Sequence, residues 1–115
     1  AIEAVAAAEH EAGCEAGLTL TSFRPVWPEG ETSRRLFAVA EAAARAAGQS
    51  VAAVARGGTS DANWFGAAGV PCLDGLGPAG FDEHTPKERI VVETLFERAV
   101  LLAVLLAALG DEDTP

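Results

Sequence analysis

The chain has 115 residues, half of them hydrophobic, and a formal net charge of -9 from 8 basic and 17 acidic residues. This length suits one compact unit with a modest core, and the apolar content argues against disorder. Because nucleic acids and anionic membrane surfaces bind clustered Lys and Arg, the acidity argues against both as partners.

The apolar pattern predicts helices and strands that alternate along the chain. The first half predicts, in order, a helix at residues 1–12, a strand at 18–23, and a helix from a cap at Thr32 or Ser33 to Gly48. The second half predicts a strand at 51–55, a helix at 61–68, a strand at 70–73, an extended piece at 90–92 and a helix from Thr94 to Leu109.

Local chemistry supports these boundaries. Glycine closes helices because it adopts the left-handed conformation, and the predicted helices stop at Gly13, Gly48, Gly69 and Gly110. Thr94 and Glu97 have the spacing of a capping box at a helix start. Residues 18–23 alternate apolar and polar side chains, as in a half-buried strand, whereas residues 51–55 are wholly apolar, as in a central parallel strand.

The order of elements after residue 17 predicts an α/β fold with a mostly parallel sheet and flanking helices. Residues 1–13 fit this order less well and suit a separate lobe, with residues 24–30 as the connection. The apolar run at 99–109 is too short to span a bilayer and predicts a buried core helix. The acidic residues 111–115 are expected to fray.

The two cysteines, Cys14 and Cys72, lie far apart and form no C-x-x-C pair. We expect free thiols and a cytoplasmic protein, with a disulfide as the alternative. Residues 1–4 lack a starting Met and the basic start of a signal peptide, so we expect the chain to begin inside a longer protein.

Ligands gather at the carboxyl ends of strands in parallel sheets, and the loop at residues 56–63 follows the strand at 51–55. Its small residues would leave backbone amides free to bind an anion such as a carboxylate or phosphate, and Arg56 could pair with a carboxylate. The loop is not a P-loop, because no Lys-Ser/Thr pair follows its glycines. The alternative is a tight turn with Ser60 as the helix N-cap.

A second loop after the strand at 70–73 carries His84, one of only two histidines. Imidazole is a good zinc ligand, and Asp82 and Glu83 could ligate or orient it, but a zinc site takes three or four protein ligands. The alternative is a polar loop residue without a metal. For other conspicuous side chains we expect ordinary roles: a solvated surface for His10, the core for Cys72, and packing for Trp27 and Trp64.

Several motifs resemble the carboxy-terminal part of the M20 metallopeptidase family, which includes glutamate carboxypeptidase, acetylornithine deacetylase and succinyl-diaminopimelate desuccinylase. They are GGTSDANW at residues 57–64, GVPCLDGLG at 69–77, Gly80, HTP at 84–86, Glu88, Thr94-Leu95 and Arg98. The likeness covers about residues 24–109 and is greatest to the glutamate carboxypeptidase-like members. The family often has a third glycine where this chain has Thr59.

The resemblance implies an enzyme with two divalent metal ions, usually zinc, with cobalt or manganese as alternatives. A metal-bound water would attack an amide bond of a small peptide or N-acyl amino acid. His84 matches a metal ligand, while Arg56, Gly58 and Asn63 match the substrate side of the cleft. Residues 1–24 would end a lid or dimerisation domain, and residues 25–115 would form the carboxy-terminal part of the catalytic α/β domain.

The family's remaining ligands and its catalytic Glu have no counterpart in this chain, so the resemblance implies a fragment that is inactive alone. Without the missing strands, exposed sheet edges and apolar helix faces favour a homo-oligomer. The rival hypothesis is a non-catalytic α/β interaction module that keeps the scaffold. A third is phosphate-ligand binding at the turn of residues 57–60.

Overall fold

The structure, a computed structural model, describes residues 2–8 and 11–110. Within these ranges it contains four helices and one antiparallel sheet of two strands. They are α1 (Ile2–Ala6), α2 (Glu31–Ala46), α3 (Ala62–Ala67), β1 (Gly80–Phe81), β2 (Arg89–Ile90) and α4 (Val92–Gly110). The predictions made for His10 and for residues 111–115 lie outside the described residues.

The core lies between α2 and α4. Small side chains on α2 let the two helices approach closely, and leucines of α4 fill the contact. The buried residues are Ala40, Ala43, Ala44, Leu101 and Leu105. Val51, Leu73 and Leu76 pack against this cluster from the segments between the helices. Because each buried leucine contributes about 2 kcal/mol, this contact anchors the second half of the chain to α2.

The end of α2 agrees with the prediction, and its start does not. Gly48 has a φ of +70°, and the N–H groups of Gly48 and Gln49 reach back to the carbonyls of Arg45 and Ala44, which closes the helix in a Schellman motif. The helix begins at Glu31, however, and neither predicted cap is used. The hydroxyl of Ser33 instead accepts a hydrogen bond from the Trp27 indole.

The predicted capping box at α4 is wrong, because the helix begins two residues earlier, at Val92. The Thr94 hydroxyl donates to the carbonyl of Val91, at 2.7 Å, and accepts the N–H of Ala79, at 2.9 Å. A partner 15 residues away therefore takes the oxygen that the capping box would have used. Thr94 ties the hairpin of β1 and β2 to the first turn of α4.

The structure does not confirm a parallel sheet. The strands predicted at residues 18–23, 51–55 and 70–73 are absent from the described part of the chain, in which β1 and β2 are the assigned strands. A strand needs the backbone of a neighbouring strand to complete its hydrogen bonds, and these segments have none beside them. The extended piece predicted at residues 90–92 is confirmed only at Ile90, the end of β2.

The first helix is shorter than predicted. α1 covers five residues instead of twelve, and none of them is buried. An isolated short helix is unstable when only helix propensity supports it. The low burial of α1 agrees with its short length, while residues 1, 9 and 10 of the predicted helix lie outside the described residues.

Much apolar surface is left uncovered. The radius of gyration is 19.9 Å, whereas a compact domain of this length has about 13 Å. On α4, more than half of the side-chain surface of Phe96, Val100 and Leu106 is exposed. The prediction of a buried core helix is thus confirmed only for the face against α2. No helix among residues 2–8 and 11–110 is long and apolar enough to cross a membrane.

Candidate functional site

β1 and β2 form a hairpin whose connecting residues, 82–88, carry the predicted metal ligand His84; we call them the His84 loop. Arg89 closes the base of this loop. Its guanidinium pairs with the Asp82 carboxylate and lies over the Phe81 ring, 5.1 Å from the ring centroid. The base of the loop is thus held by an ion pair and a cation–π contact on one side chain.

Thr85 organises the inside of the His84 loop. Its hydroxyl donates to the carbonyl of Asp82, at 2.7 Å, and accepts the N–H of Lys87, at 3.2 Å. Its carbonyl accepts the N–H of Glu88, at 3.0 Å. These bonds join residues two or three positions apart, so the loop closes through its own sequence.

Two residues of the loop adopt the left-handed conformation, Asp82 with a φ of 58° and His84 with a φ of 64°. For residues with a side chain this conformation costs about 1–2 kcal/mol each. One contact that holds His84 there is its backbone N–H, which donates to the Oε2 of Glu88 at 3.3 Å. The side chain of Glu88 is thus in direct contact with the backbone at His84.

The imidazole of His84 is exposed and makes no hydrogen bond to the described residues. Asp82 is engaged with Arg89, so its carboxylate does not orient the imidazole as predicted. Within the described residues, no three His, Cys, Asp or Glu side chains come together as a metal site. One free imidazole on an ordered loop fits a single metal ligand, but these residues do not make a complete centre.

The second site segment, residues 57–63 with the sequence GGTSDAN, is called the GGTSDAN loop. The alternative of a turn with Ser60 as the helix N-cap is not confirmed, because the N-cap residue of α3 is Asp61 and no side-chain cap bond is made there. The Ser60 hydroxyl accepts the N–H of Ala62, at 3.2 Å. The Oδ1 of Asn63 accepts the N–H of Ser60, at 2.9 Å. Two side-chain oxygens, those of Ser60 and Asn63, thus accept backbone N–H groups at the start of α3. At the other end, Gly69 with a φ of +82° closes α3 as predicted.

Residues 24–27, called the connector, hold the GGTSDAN loop from outside. Arg24 forms an ion pair with Asp61, at 2.5 Å. The Nδ2 of Asn63 donates to the carbonyl of Pro25, at 3.0 Å. The predicted substrate-binding residue Asn63 thus already uses both ends of its amide to shape the loop.

Trp27 completes the attachment by packing on α3. A Cβ at Gly66 would overlap the Trp27 indole ring, so glycine is what allows the ring to lie against the helix. This confirms the predicted packing role of Trp27, while Trp64 stays half exposed. Arg24, Pro25 and Gly66 were not predicted as partners in these contacts. The available signal was a glycine inside a predicted helix, which permits close approach.

The other predicted substrate residues lie open to solvent. Arg56 and Gly58 are exposed, and Arg56 has no ion pair with the described residues. No hydrogen bond within residues 2–8 and 11–110 joins the GGTSDAN loop to the His84 loop. The described contacts therefore do not link the two loops directly.

Two surface grooves lie away from the predicted site residues. The larger is lined by Ala47, Gly48, Gln49, Ser50, Phe96, Glu97, Arg98 and Val100, and the smaller lies between α2, Pro71 and Leu109. Neither is lined by Arg56, Gly58, Asn63 or His84. The larger groove is lined by polar side chains as well, Gln49, Glu97 and Arg98 among them, but by none of the predicted site residues.

The cysteines add no chemistry. Cys14 and Cys72 are free, as predicted, and the Cys72 thiol lies 3.1 Å from the carbonyl of Val70. Cys72 is half-buried, without a histidine or other base bonded to it in the described part of the chain. The predicted core position of Cys72 is not confirmed, because the residue lies outside the buried cluster. Without a bonded base it also lacks the surroundings of an activated nucleophile.

Comparison with known families gives one match. The family described as Peptidase family M20/M25/M40 matches residues 12–108, which include the connector, the GGTSDAN loop, the His84 loop and most of α4. Neither a curated protein nor a solved structure matched the chain significantly. Since the matched residues make up most of the chain, the protein belongs to peptidase family M20/M25/M40.

Proposed function

We propose that the chain is part of a metal-dependent hydrolase that cleaves an amide bond of a small peptide or N-acyl amino acid. A glutamate carboxypeptidase-like or deacetylase-like enzyme is the kind of member that its motifs favour. Membership of the peptidase family supports hydrolysis. One observation supports a metal site at His84: its imidazole is exposed and unbonded within the described residues, and its loop is closed by hydrogen bonds.

His84 is the one metal ligand that we assign to this chain. A ring nitrogen of its neutral imidazole would face the metal, while Thr85, Glu88 and Arg89 hold the loop around it. Two divalent ions, zinc or alternatively cobalt or manganese, would activate a water and polarise the amide carbonyl. The other ligands and the general base come from outside these 115 residues, so the chain alone is expected to be inactive.

Arg56, Gly58 and Asn63 are the residues that we assign to the substrate. The exposed guanidinium of Arg56 suits the carboxylate of an amino acid or peptide. The backbone N–H of Gly58 lies on an open part of the loop, where no atom would touch an added Cβ. Asn63 gives one N–H to Pro25 and keeps a second for the substrate.

The domain assignment and the partners follow from the same proposal. Residues 1–24 would belong to a lid or dimerisation domain and residues 25–115 to the catalytic domain. The connector would then join the two domains beside the substrate loop. Exposed apolar side chains on α4 favour further contacts, including a homo-oligomer. Two free thiols suit a reducing compartment such as the cytoplasm.

The test is the metal content of the enzyme that contains this chain, purified with and without His84→Ala. We expect this variant to lose bound metal and most amidase activity, because a missing ligand leaves the centre incomplete. His10→Ala replaces the chain's other histidine and serves as the matched control, with metal content and activity retained. Unchanged metal content in His84→Ala would refute the assignment, and metal-dependent hydrolysis by the isolated chain would refute its predicted inactivity.

A further inference from the structure

We infer that Glu88 is a positioning residue for the metal ligand, an inference that rests on the proposed role of His84. Its Oε2 accepts the backbone N–H of His84, at 3.3 Å. The bond spans four positions and ties the tip of the His84 loop to its return toward β2. Glu88 acts on the site through His84, because it holds the residue whose imidazole would bind the metal.

The backbone of His84 sets where the imidazole lies. The side chain is exposed and has no hydrogen bond of its own to the described residues, so nothing else orients the ring. The direction of the Cα–Cβ bond depends on the backbone angles, and His84 is held at a φ of 64°. Metal ligands must lie within about 0.2 Å of the required distances. A return of the backbone to a negative φ would move the imidazole away from its position.

Glu88 is itself held in place, which makes it a suitable anchor. Its backbone N–H donates to the carbonyl of Thr85, at 3.0 Å, and the next residue, Arg89, lies in β2 and pairs with Asp82. Glu83, the other acid beside His84, has no hydrogen bond or ion pair within the described residues. The two neighbouring glutamates therefore differ in their contacts, and Glu83 provides a matched control.

The contact needs an oxygen acceptor rather than a negative charge. The amide oxygen of a glutamine accepts an N–H as a carboxylate oxygen does, whereas alanine and methionine offer no oxygen. Glu88→Gln should therefore preserve the position of His84, and Glu88→Ala and Glu88→Met should release it. An electrostatic or direct ligand role would rank these variants differently, because glutamine lacks the charge.

The experiment uses the metal-loaded enzyme that contains this chain and measures zinc affinity by competition with a chelator. Residues that orient a metal ligand typically contribute 10–100-fold to metal affinity. We expect Glu88→Ala and Glu88→Met to weaken zinc binding by about 10-fold or more, with Glu88→Gln and Glu83→Ala near the parent value. At saturating zinc, X-ray absorption should show the same number of bound imidazoles in Glu88→Ala as in the parent, and one fewer in His84→Ala.

The outcomes separate this inference from the proposed function. Unchanged zinc affinity in Glu88→Ala and Glu88→Met, or an affinity in Glu88→Gln as weak as in Glu88→Ala, overturns the positioning role. If His84→Ala keeps its full zinc content, the metal-ligand role fails first and the positioning role fails with it. If Glu88→Ala does not fold, the comparison of Glu88→Met with Glu88→Gln decides the same question.

Discussion

The His84 loop and the GGTSDAN loop are both rich in polar contacts, but the contacts have different origins. Within the His84 loop and its base, the side-chain bonds join residues at most seven positions apart. The bonds between the GGTSDAN loop and the connector join residues 36–38 positions apart. The His84 loop is thus organised by its own sequence, whereas the GGTSDAN loop depends on a distant segment.

This difference has a functional consequence under the proposed function. A locally closed loop presents the metal ligand in the same way whatever the connector does. A substrate loop tied to the connector would instead respond to any motion of residues 1–24 relative to the rest of the enzyme. Changes in the connector should therefore alter substrate binding before they alter metal binding.

The largest expected effect is on the contact between the connector and α3, which helps to hold the GGTSDAN loop. Gly66→Ala places a methyl group in the Trp27 ring and forces the connector away from α3. Overpacking costs about 1–3 kcal/mol, and the better helix propensity of alanine returns up to about 1 kcal/mol. We expect a net loss of about 1–2 kcal/mol in the free energy of unfolding, measured by urea denaturation.

Chemical shifts would show where the effect is located. In Gly66→Ala, amide shifts should change in α3 and the connector and stay constant in residues 82–88. Gly57→Ala is the matched control, because no atom lies within 4 Å of its Cβ position and its φ is not left-handed. Large shifts in the His84 loop of Gly66→Ala would contradict the independence of the two loops.

The sequence predicted well those features whose cause is local. Gly48 and Gly69 end their helices as expected, because a left-handed glycine and the preceding turn are sufficient for a Schellman motif. The side-chain bonds of Ser60 and Asn63 at the start of α3 are local as well, since they join residues two and three positions apart. The closed His84 loop belongs to this local class, although its individual bonds were not foreseen.

Features with distant partners were not predictable from a single sequence. The oxygen of Thr94 is bonded to Ala79, so the apparent capping box does not start α4. The amide of Asn63 is bonded to Pro25, 38 positions away, so its apparent availability to a substrate is partly lost. Strands are the extreme case, because every ladder bond requires a neighbouring strand, and the parallel sheet stays unconfirmed.

A smaller effect is expected at the hydrogen bonds of Asn63. Asn63→Ala removes the acceptor of the Ser60 N–H and the donor to Pro25, while Asn63→Asp removes only the donor. We expect Asn63→Ala to lower the free energy of unfolding by about 1 kcal/mol, as for the loss of a helix cap, and Asn63→Asp to lower it by less. If both variants lose the same free energy of unfolding in urea denaturation, the bond to Pro25, and not the bond to Ser60, accounts for the whole effect.

The smallest expected effect tests the local organisation of the His84 loop. His84 has a φ of 64°, which favours glycine over alanine at this position. Part of that advantage is cancelled because glycine also gains freedom in the unfolded chain. We expect His84→Gly to be more stable than His84→Ala by about 0.5 kcal/mol in urea denaturation. If His84→Ala is the more stable variant, the left-handed backbone at residue 84 is not maintained. The His84 loop would then lack the local rigidity that distinguishes it from the GGTSDAN loop.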